Sequence, residues 1–399
     1  MTLRVLFVDD EPNVLDGLKR TLRGFRQEWD MRFALGGTAA LAALDQVPAD
    51  VVVTDMRMPV MDGEAVLAEV RRRSPQTVRI VLTGECSREV MIRITTLAHR
   101  ILTKPCDPDD LRGAVAQAST LQGVLYSPAL TAAVGRLRSV PSRPDLYTRI
   151  LAVLEDPNSS LADLGRICSQ DVGVSAKLIQ VANSAAFGCR HTVTSATDAV
   201  QRIGTDMTKA MVLADGVLTR FDPRSIHPFT IDDVWPHSQT VAALSTRIAQ
   251  REAGGATWLK LVPSAGVLHD IGRLVLASTE PEAYVSVLRA VQSGRVTVAD
   301  AERSVFGATH AEVGAYLLGL WGLPTPIVEA VAWHHTPFPF PCPVDHFSLI
   351  TAVHVAEAIL GAGEGDGPDL EYLTRLGVAD RLPEWAGLAG EQGVTGVES

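Results

Sequence analysis

The sequence lacks the features of a secreted or membrane-spanning protein. Its five cysteines, Cys86, Cys106, Cys168, Cys189 and Cys342, are scattered and form no Cys-x-x-Cys pair, which is typical of reduced, cytosolic thiols. No apolar run reaches about 18 residues, the length that a membrane-spanning helix needs. The first strand-like run begins without a preceding signal peptide. We therefore expect a cytoplasmic protein with no membrane partner.

The sequence also has no stripe of basic residues. The formal net charge is −10 at pH 7, with 36 Lys and Arg against 46 Asp and Glu, which argues against a broad nucleic-acid footprint. No helix-turn-helix with a basic recognition face stands out, so we expect no direct DNA binding. A length of 399 residues, of which 46% are hydrophobic, favours two or three domains with buried cores.

Polar side chains follow four apolar runs in the first 120 residues, where short apolar runs alternate with helical periods. This alternation predicts a doubly wound α/β domain with a parallel sheet. The carboxyl ends of parallel strands meet at one edge of a sheet, where ligands bind. Clustered carboxylates there call for a hard cation such as Mg²⁺. The polar residues at these strand ends are Asp9, Asp10, Asp55, Thr83 and Lys104.

With these residues, the first 120 positions resemble a chemotaxis-type response-regulator receiver domain. The resemblance implies a five-stranded parallel sheet and a phosphoacceptor, Asp55, that receives a phosphoryl group from a histidine kinase. It also implies that Asp10, Asp55 and the backbone carbonyl of Arg57 bind Mg²⁺. Asp9 would orient the waters of this metal. Dimerisation, which is common among receivers, is also expected.

The same resemblance assigns the remaining polar residues of the strand ends. Thr83 and Lys104 would bind the phosphoryl oxygens once the group is attached. Arg57 and Glu85 lie two residues after Asp55 and Thr83, and they would flank the phosphate and tune its lifetime. One position departs from the family, because Ile101 stands where receivers usually carry a Tyr or Phe that changes its orientation.

Strand signals fade after residue 145, and helical periods dominate the rest of the chain. Helices are predicted over 146–155, 161–169, 174–186, 195–203, 206–219, 238–252, 257–275, 281–292, 298–306, 310–320, 325–333 and 346–360. This pattern indicates an all-α multi-helix region. We predict a receiver domain (1–122), a linker or connecting helix (123–144), a helical output domain (145–361) and a partly disordered C-terminal extension (362–399). The linker is not rich in Ser, Gly and Pro throughout, so direct coupling between the domains is plausible.

Most of the ten histidines lie after residue 226, and His269-Asp270 opens a His-Asp-Ile-Gly motif. Imidazoles and a carboxylate from several helices can converge on a metal in the core of a bundle. The set resembles the HD phosphohydrolase superfamily. The resemblance implies that Fe, Mn or Zn is bound by His237, His269, Asp270, His310 and His334. The alternative is a structural His–Asp pair, in which each residue satisfies the buried polar groups of the other and no metal is bound.

Further motifs narrow the resemblance of residues 136–360 to the HDOD subgroup of that superfamily. They include Gln170-Asp171, Ser175-Ala176-Lys177-Leu178, Ala182-Asn183-Ser184, Phe187-Gly188, Phe306-Gly307 and Trp321-Gly322-Leu323-Pro324. HDOD domains generally act as signalling or partner-binding outputs. His335 is an additional candidate ligand. The superfamily usually closes its site with a later Asp, and the nearest candidates here are His354 and Glu357.

Two hypotheses about function follow. The first is a two-component response regulator whose HDOD output binds a downstream protein partner after phosphorylation of Asp55. The alternative is a phosphorylation-regulated, metal-dependent phosphodiesterase that acts on a cyclic dinucleotide through a metal-bound hydroxide. Related hydrolases carry Gly-Tyr-Pro after the paired histidines and a Lys after His-Asp-Ile-Gly. This chain has neither, with Arg273 at the second position, which argues against an enzyme.

Overall fold

The fold is taken from a computed structural model of the chain. It describes residues 2–84, 88–121, 128–137, 140–143, 145–156, 159–184, 187, 192–213, 219–220, 222–228, 230, 232–252, 256–294, 296–337, 346–361 and 367–390. The predicted flanking residue Glu85 lies outside these ranges. Within them, no helix is both long and apolar enough to cross a membrane.

The N-terminal part is an α/β domain with one parallel sheet. Its strands are β1 (Leu3–Asp9), β2 (Trp29–Leu35), β3 (Val51–Asp55), β4 (Val78–Thr83) and β5 (Arg100–Thr103). They are ordered β2-β1-β3-β4-β5 and all pair in parallel, which confirms the predicted five-stranded sheet. The central strands are almost entirely buried, because helices cover both faces.

Five helices connect and cover these strands. They are α1 (Pro12–Thr21), α2 (Gly37–Gln46), α3 (Gly63–Arg73), α4 (Arg88–Thr95) and α5 (Pro108–Leu121). The start of α1 carries Pro12, whose fixed φ suits the first helical turn. The start of α3 is capped by Asp62, whose carboxylate accepts a hydrogen bond from the Ala65 amide at 2.8 Å.

The rest of the described chain is a helical domain, as predicted. A connecting helix, α6 (Pro128–Arg136), leads to a short strand, β6 (Pro141–Ser142), which pairs in parallel with β7 (Thr219–Arg220). The first helices of the domain are α7 (Leu146–Glu155), α8 (Leu161–Cys168), α9 (Val172–Ala182) and α10 (Ala196–Leu213). The later ones are α11 (Val234–Glu252), α12 (Val262–Leu268), α13 (Ile271–Thr279), α14 (Pro281–Gln292), α15 (Val298–Phe306), α16 (His310–Leu320), α17 (Thr325–Trp333), α18 (Leu349–Leu360), α19 (Leu370–Arg375) and α20 (Leu382–Gly390).

Two predicted helix segments are wrong, and one predicted break between helices is confirmed. The segment 206–219 ends as a strand residue at Thr219, because this residue pairs with β6. The predicted break between 195–203 and 206–219 is confirmed, because Gly204 inside α10 has a non-helical backbone with a φ of 79°, which suits glycine. The segment 257–275 is divided into a 3-10 helix (Thr257–Leu261), α12 and α13, with His269 and Asp270 at the break.

The C-terminal helices pack onto the domain. Trp385 on α20 is fully buried, and its indole nitrogen donates a hydrogen bond to Glu252 at the end of α11 at 2.9 Å. The guanidinium of Arg381 contacts the other oxygen of the same carboxylate at 2.8 Å. Residues 370–390, within the predicted extension, therefore contribute to the helical core.

Candidate functional site

The polar strand ends of the α/β domain do meet at one edge of the sheet. The ammonium of Lys104 lies 2.6 Å from an Asp55 oxygen and 2.7 Å from an Asp9 oxygen. Thr83 ends β4 beside Asp55 on β3, and its carbonyl accepts a hydrogen bond from the Lys104 amide at 2.8 Å. The parallel register thus brings two carboxylates and an ammonium together, with the Thr83 hydroxyl at the end of the adjacent strand.

Electrostatic pairing holds Lys104 at this edge. Burial by itself would lower the pKa of the Lys104 ammonium, but its contacts with Asp55 and Asp9 raise the pKa above its ordinary value. The second oxygen of Asp55 accepts a hydrogen bond from the Arg57 amide at 3.0 Å. Asp9 accepts one from the Glu11 amide at 2.9 Å. Each of these two carboxylates is therefore held in place by Lys104 and by a backbone amide.

The loop after Asp55 requires glycine at one position. A Cβ atom on Gly63 would collide with the Asp55 carbonyl oxygen, so only glycine lets α3 start this close to the site. In the same loop, Val60 has a positive φ of 69° and is fully exposed. A β-branched residue in this conformation is a backbone outlier, and such strain concentrates at functional loops.

The other residues predicted for this site differ in burial and in their contacts. Asp10 is half-buried and the Arg57 side chain is exposed. The Thr83 hydroxyl donates to the Gly84 carbonyl at 3.2 Å. Ile101 is buried inside β5 among apolar neighbours, as expected for an aliphatic residue at that position.

The histidine cluster of the helical domain is built from helix ends. His269 follows α12 and Asp270 precedes α13, so the break between these helices presents both side chains. His310 is the first residue of α16, where Thr309 and Glu312 form a capping box that fixes the start of the helix. A local capping signal thus places His310, whereas His269 and Asp270 lie at a helix break that no side-chain cap marks.

Three imidazoles are oriented through their Nδ1 atoms. In His269 and His334, Nδ1 lies 2.7 Å from the backbone carbonyl three residues earlier. In His310, Nδ1 lies 2.7 Å from the Glu302 carboxylate. The Nε2 atoms of His269 and His334 are buried and make no hydrogen bond to any described group. Buried polar atoms rarely stay unsatisfied, and this arrangement suits metal ligation through Nε2.

The candidate ligands form two groups that share Asp270. In each group, the ligand atoms lie within 4.8 Å of one another, and within the described residues both groups lie in the helical domain. The groups are His237, His269 and Asp270, and Asp270, His310, His334 and His335. A shared carboxylate is the arrangement expected when one Asp contributes a ligand to two adjacent metal positions.

The two candidates for the closing ligand have different surroundings. Glu357 on α18 belongs to the cluster, because its carboxylate lies 2.7 Å from His237 Nε2 and 3.2 Å from His269 Nε2. His354 has both ring nitrogens engaged elsewhere. Its Nδ1 contacts the His334 carbonyl at 2.8 Å, and its Nε2 accepts from the Asp369 amide at 2.9 Å. His354 is therefore a structural residue.

Arg273 provides a cation inside the cluster. Its guanidinium lies 3.1 Å from one Asp270 oxygen, while His310 Nε2 lies 3.2 Å from the other. Burial alone would raise the pKa of the Asp270 carboxyl, but His269 and Arg273 hold it well below its ordinary range. Asp270 is thus a charged carboxylate that a metal would share with an arginine.

Two imidazoles of the cluster are neutral. Burial lowers the pKa of His334 well below its ordinary value and, with the neighbouring His310, lowers the pKa of His335 to about 3. A neutral imidazole offers the lone pair that metal ligation requires. The donor set of nitrogen and carboxylate oxygen suits Fe, Mn or Zn.

Glu302 is a site residue that the sequence did not reveal. It lies on α15, is fully buried, and one of its oxygens contacts both the backbone amide and Nδ1 of His310 at 2.7 Å. In the sequence, Glu302 is related to the site only by its position eight residues before His310. That spacing does not distinguish it from other glutamates. A carboxylate behind an imidazole sets the tautomer and raises ligand basicity.

Comparisons with known proteins match two families. The response regulator receiver domain matches residues 5–116, and the HDOD domain matches residues 140–337. An uncharacterised protein of Treponema pallidum is 26% identical over 58% of this chain and 44% of its own length. The transcriptional regulatory protein TrcR of Mycobacterium tuberculosis is 36% identical over 30% of this chain and 48% of its own length. The chain thus spans less than half of these curated relatives.

Solved structures with similar folds include the MmoQ response regulator of Methylococcus capsulatus. It is 23% identical, has a TM-score of 0.47, and the match covers 62% of this chain and 98% of that one. An HDOD domain protein of Geobacter sulfurreducens is 20% identical, with a TM-score of 0.35 and coverage of 71% and 100%. The two family matches, together with the parallel sheet and the helical region, identify the chain as a response regulator that joins a receiver domain to an HDOD output domain.

Proposed function

We propose that Asp55 accepts a phosphoryl group from a histidine kinase and that its phosphorylation controls the HDOD output. The observation that carries this proposal is the close approach of Lys104 to both Asp55 and Asp9, with Thr83 on the adjacent strand end. An Asp55 oxygen would attack phosphorus and form an aspartyl phosphate as the donor's leaving group departs. Lys104 and Thr83 would then bind the phosphoryl oxygens.

The oxygen donors at this edge fit Mg²⁺. Asp10, Asp55 and the backbone carbonyl of Arg57 would hold the metal, and Asp9 would orient its waters. Mg²⁺ supplies charge neutralisation for phosphoryl transfer when it is bound. The protein's own contribution is to fix Asp55 through the Arg57 amide and to offer Lys104 as a second counter-charge.

Phosphorylation of the purified protein by acetyl phosphate with Mg²⁺ tests the assignment. We expect wild-type protein to shift on a phosphate-affinity gel, the Asp55→Asn variant to remain unshifted, and a control variant of the exposed Asp16 on α1 (Asp16→Asn) to behave as wild type. A shift that persists in Asp55→Asn would place the phosphoryl group elsewhere and refute the assignment.

For the output domain, we propose an unidentified protein partner whose binding changes with phosphorylation. The HDOD match supports this role, and it does not favour the alternative of a cyclic-dinucleotide phosphodiesterase. Capture of partners on wild-type protein, compared between samples with and without acetyl phosphate, tests it. Asp55→Asn is the control, since its set of partners should not respond to the donor.

A metal at the histidine cluster is a second proposal for the output domain. The buried Nε2 atoms of His269 and His334, which face carboxylates of the cluster, support it. Elemental analysis of anaerobically purified protein should find Fe, Mn or Zn, and the Asp270→Ala variant should lose it. Receiver-bound Mg²⁺ does not interfere with this measurement. An equal content of these metals in both proteins, or none in either, would refute ligation at this cluster.

A further inference from the structure

The helical domain packs directly against the α/β domain. Apolar residues of α5, including Leu111 and Val115, belong to the same buried cluster as residues of α9 and α16. A second buried cluster joins Met91 and Ile94 of α4 to Met207 and Met211 of α10. The two domains therefore share continuous apolar cores, and a change in the position of α4 or α5 must change contacts in the output domain.

A lysine of the output domain reaches the end of a receiver helix. Lys177 lies in the middle of α9 and is fully buried. Its ammonium donates a hydrogen bond to the carbonyl of Thr95, the last residue of α4, at 2.6 Å. The same ammonium lies 5.1 Å from the centre of the Trp321 ring. A cation at a helix C-terminus satisfies an orphan carbonyl and complements the helix dipole.

One turn further along α9, Gln180 contacts the same receiver segment. Its amide nitrogen lies 3.4 Å from the carbonyl of His99, which directly precedes β5. Lys177 and Gln180 are three residues apart, so they lie on one face of α9. This face therefore contacts the chain at both ends of the α4–β5 connection.

The connecting helix makes a further contact with the receiver. Arg79 in β4 is buried, and its guanidinium donates to the carbonyl of Gly135 in α6 at 2.7 Å. A Cβ atom on Gly135 would collide with the carbonyl oxygen of Pro75, so α6 lies directly on the loop before β4. Thus α6 contacts β4, and α9 contacts α4. These two receiver elements are consecutive in the chain, because β4 ends at Thr83 and α4 is the next element.

These contacts are connected to the phosphorylation site through β4 and α4. Thr83 ends β4, four residues after Arg79 and one residue beyond Leu82, which pairs with Asp55 on β3. We infer that Lys177 and Gln180 form an interdomain latch that holds the C-terminal end of α4 and thereby opposes phosphorylation of Asp55. The inference deepens the proposed function and rests on it.

The direction of the effect follows from the geometry at Thr83. Its hydroxyl donates to the Gly84 carbonyl, so it must reorient to bind a phosphoryl oxygen on Asp55. For the latch to act on phosphorylation, α4, which follows β4 in the order of elements, must shift when Thr83 reorients. Since the latch fixes the other end of α4, it raises the free energy of that movement. By linkage, phosphorylation weakens the latch by the same factor as the latch weakens phosphorylation.

The test compares full-length wild-type protein with the variants Lys177→Met and Gln180→Leu. Methionine keeps the length of the lysine side chain but cannot donate to Thr95. Leucine removes the amide of Gln180, whose oxygen is buried without a hydrogen-bond partner, so this variant is the milder one for folding. Lys260→Met, at an exposed lysine of the 3-10 helix Thr257–Leu261, is the control.

Two measurements are made on each protein. The phosphorylated fraction is measured at a subsaturating acetyl phosphate concentration with Mg²⁺, and hydrogen exchange is followed in residues 88–103 without the donor. We expect about a fivefold rise in the ratio of phosphorylated to unphosphorylated protein for Lys177→Met, the lower end of typical allosteric couplings. Gln180→Leu should change in the same direction, and both variants should exchange faster at the end of α4.

Each result has a distinct meaning. Wild-type phosphorylation and exchange in both latch variants would overturn the latch while leaving Asp55 as the phosphoacceptor. Reduced phosphorylation in folded Lys177→Met protein would overturn the stated direction. If wild-type protein accepts no phosphoryl group at Asp55, the proposed function itself fails, and the latch fails with it. The same rise in Lys260→Met would show that the effect is not specific to the interface, and this too would overturn the latch.

Discussion

Replacing Glu302 by glutamine should weaken metal binding at the histidine cluster without changing any candidate ligand. One Glu302 oxygen contacts the His310 amide and Nδ1, both at 2.7 Å. The glutamine carbonyl can accept the same two hydrogen bonds but carries no charge. His310 therefore loses the charge that keeps Nδ1 protonated and Nε2 basic toward a metal.

The magnitude follows from this supporting role. Loss of a carboxylate behind a ligating histidine typically lowers metal affinity by roughly 10–100-fold, or about 1.4–2.8 kcal/mol. The alanine variant should be worse, since it leaves the buried His310 donors unsatisfied at an added cost of about 1–3 kcal/mol to folding. The glutamine variant is thus the cleaner probe of positioning.

Competition for Zn²⁺ with a chromophoric chelator measures the affinity, and the Asp270→Ala protein identifies binding outside the cluster. Glu282→Gln, at an exposed glutamate of α14, is the control and should bind as wild type. Equal Zn²⁺ affinity in Glu302→Gln and wild-type protein would refute the positioning role. If Asp270→Ala also binds with wild-type affinity, the cluster is not the metal site.

Three further predictions concern folding. Asp62→Ala removes the cap that accepts from the Ala65 amide and should lower the free energy of unfolding by about 1 kcal/mol in denaturant titrations; an unchanged midpoint would contradict the capping role. Trp385→Ala leaves a cavity beside Glu252 and should cost about 3–5 kcal/mol by the same assay, whereas a loss below about 1 kcal/mol would show that α20 adds little to the core. Burial raises the pKa of the Cys168 thiol from 9.0 to about 12. The contribution of the protonated thiol to the free energy of unfolding is therefore complete below pH 9.0 and is lost as pH rises toward 12. Cys168 should therefore resist alkylation at pH 8.5 in native protein but react in denaturant, and equal rates would contradict its burial.

The sequence could predict those residues of the site that lie at the ends of parallel strands. Asp9, Asp55, Thr83 and Lys104 each follow an apolar run, and parallel pairing makes such ends neighbours whatever the loops do. Helix predictions were less accurate where tertiary contacts determine the secondary structure. Thr219 becomes a strand residue because β6 pairs with it, and no local pattern announces a partner that is more than 70 positions away.

The histidine cluster marks the limit of spacing arguments. His354 and Glu357 lie one helical turn apart on α18, so sequence alone could not choose between them. In the structure, Glu357 faces His237, whereas His354 is engaged by the His334 carbonyl and the Asp369 amide. Helix rotation within the bundle makes this choice, and rotation depends on packing against every neighbouring helix.

The sequence by itself determined the two-part architecture and the chemistry of the strand ends, because hydrophobic period and residue type are local properties of the chain. Only the tertiary structure decided that Glu302 supports His310 and that Lys177 contacts the end of α4. These pairs are brought together by the docking of separate helices. Such contacts depend on the relative positions of whole elements, which no periodicity in a single sequence encodes.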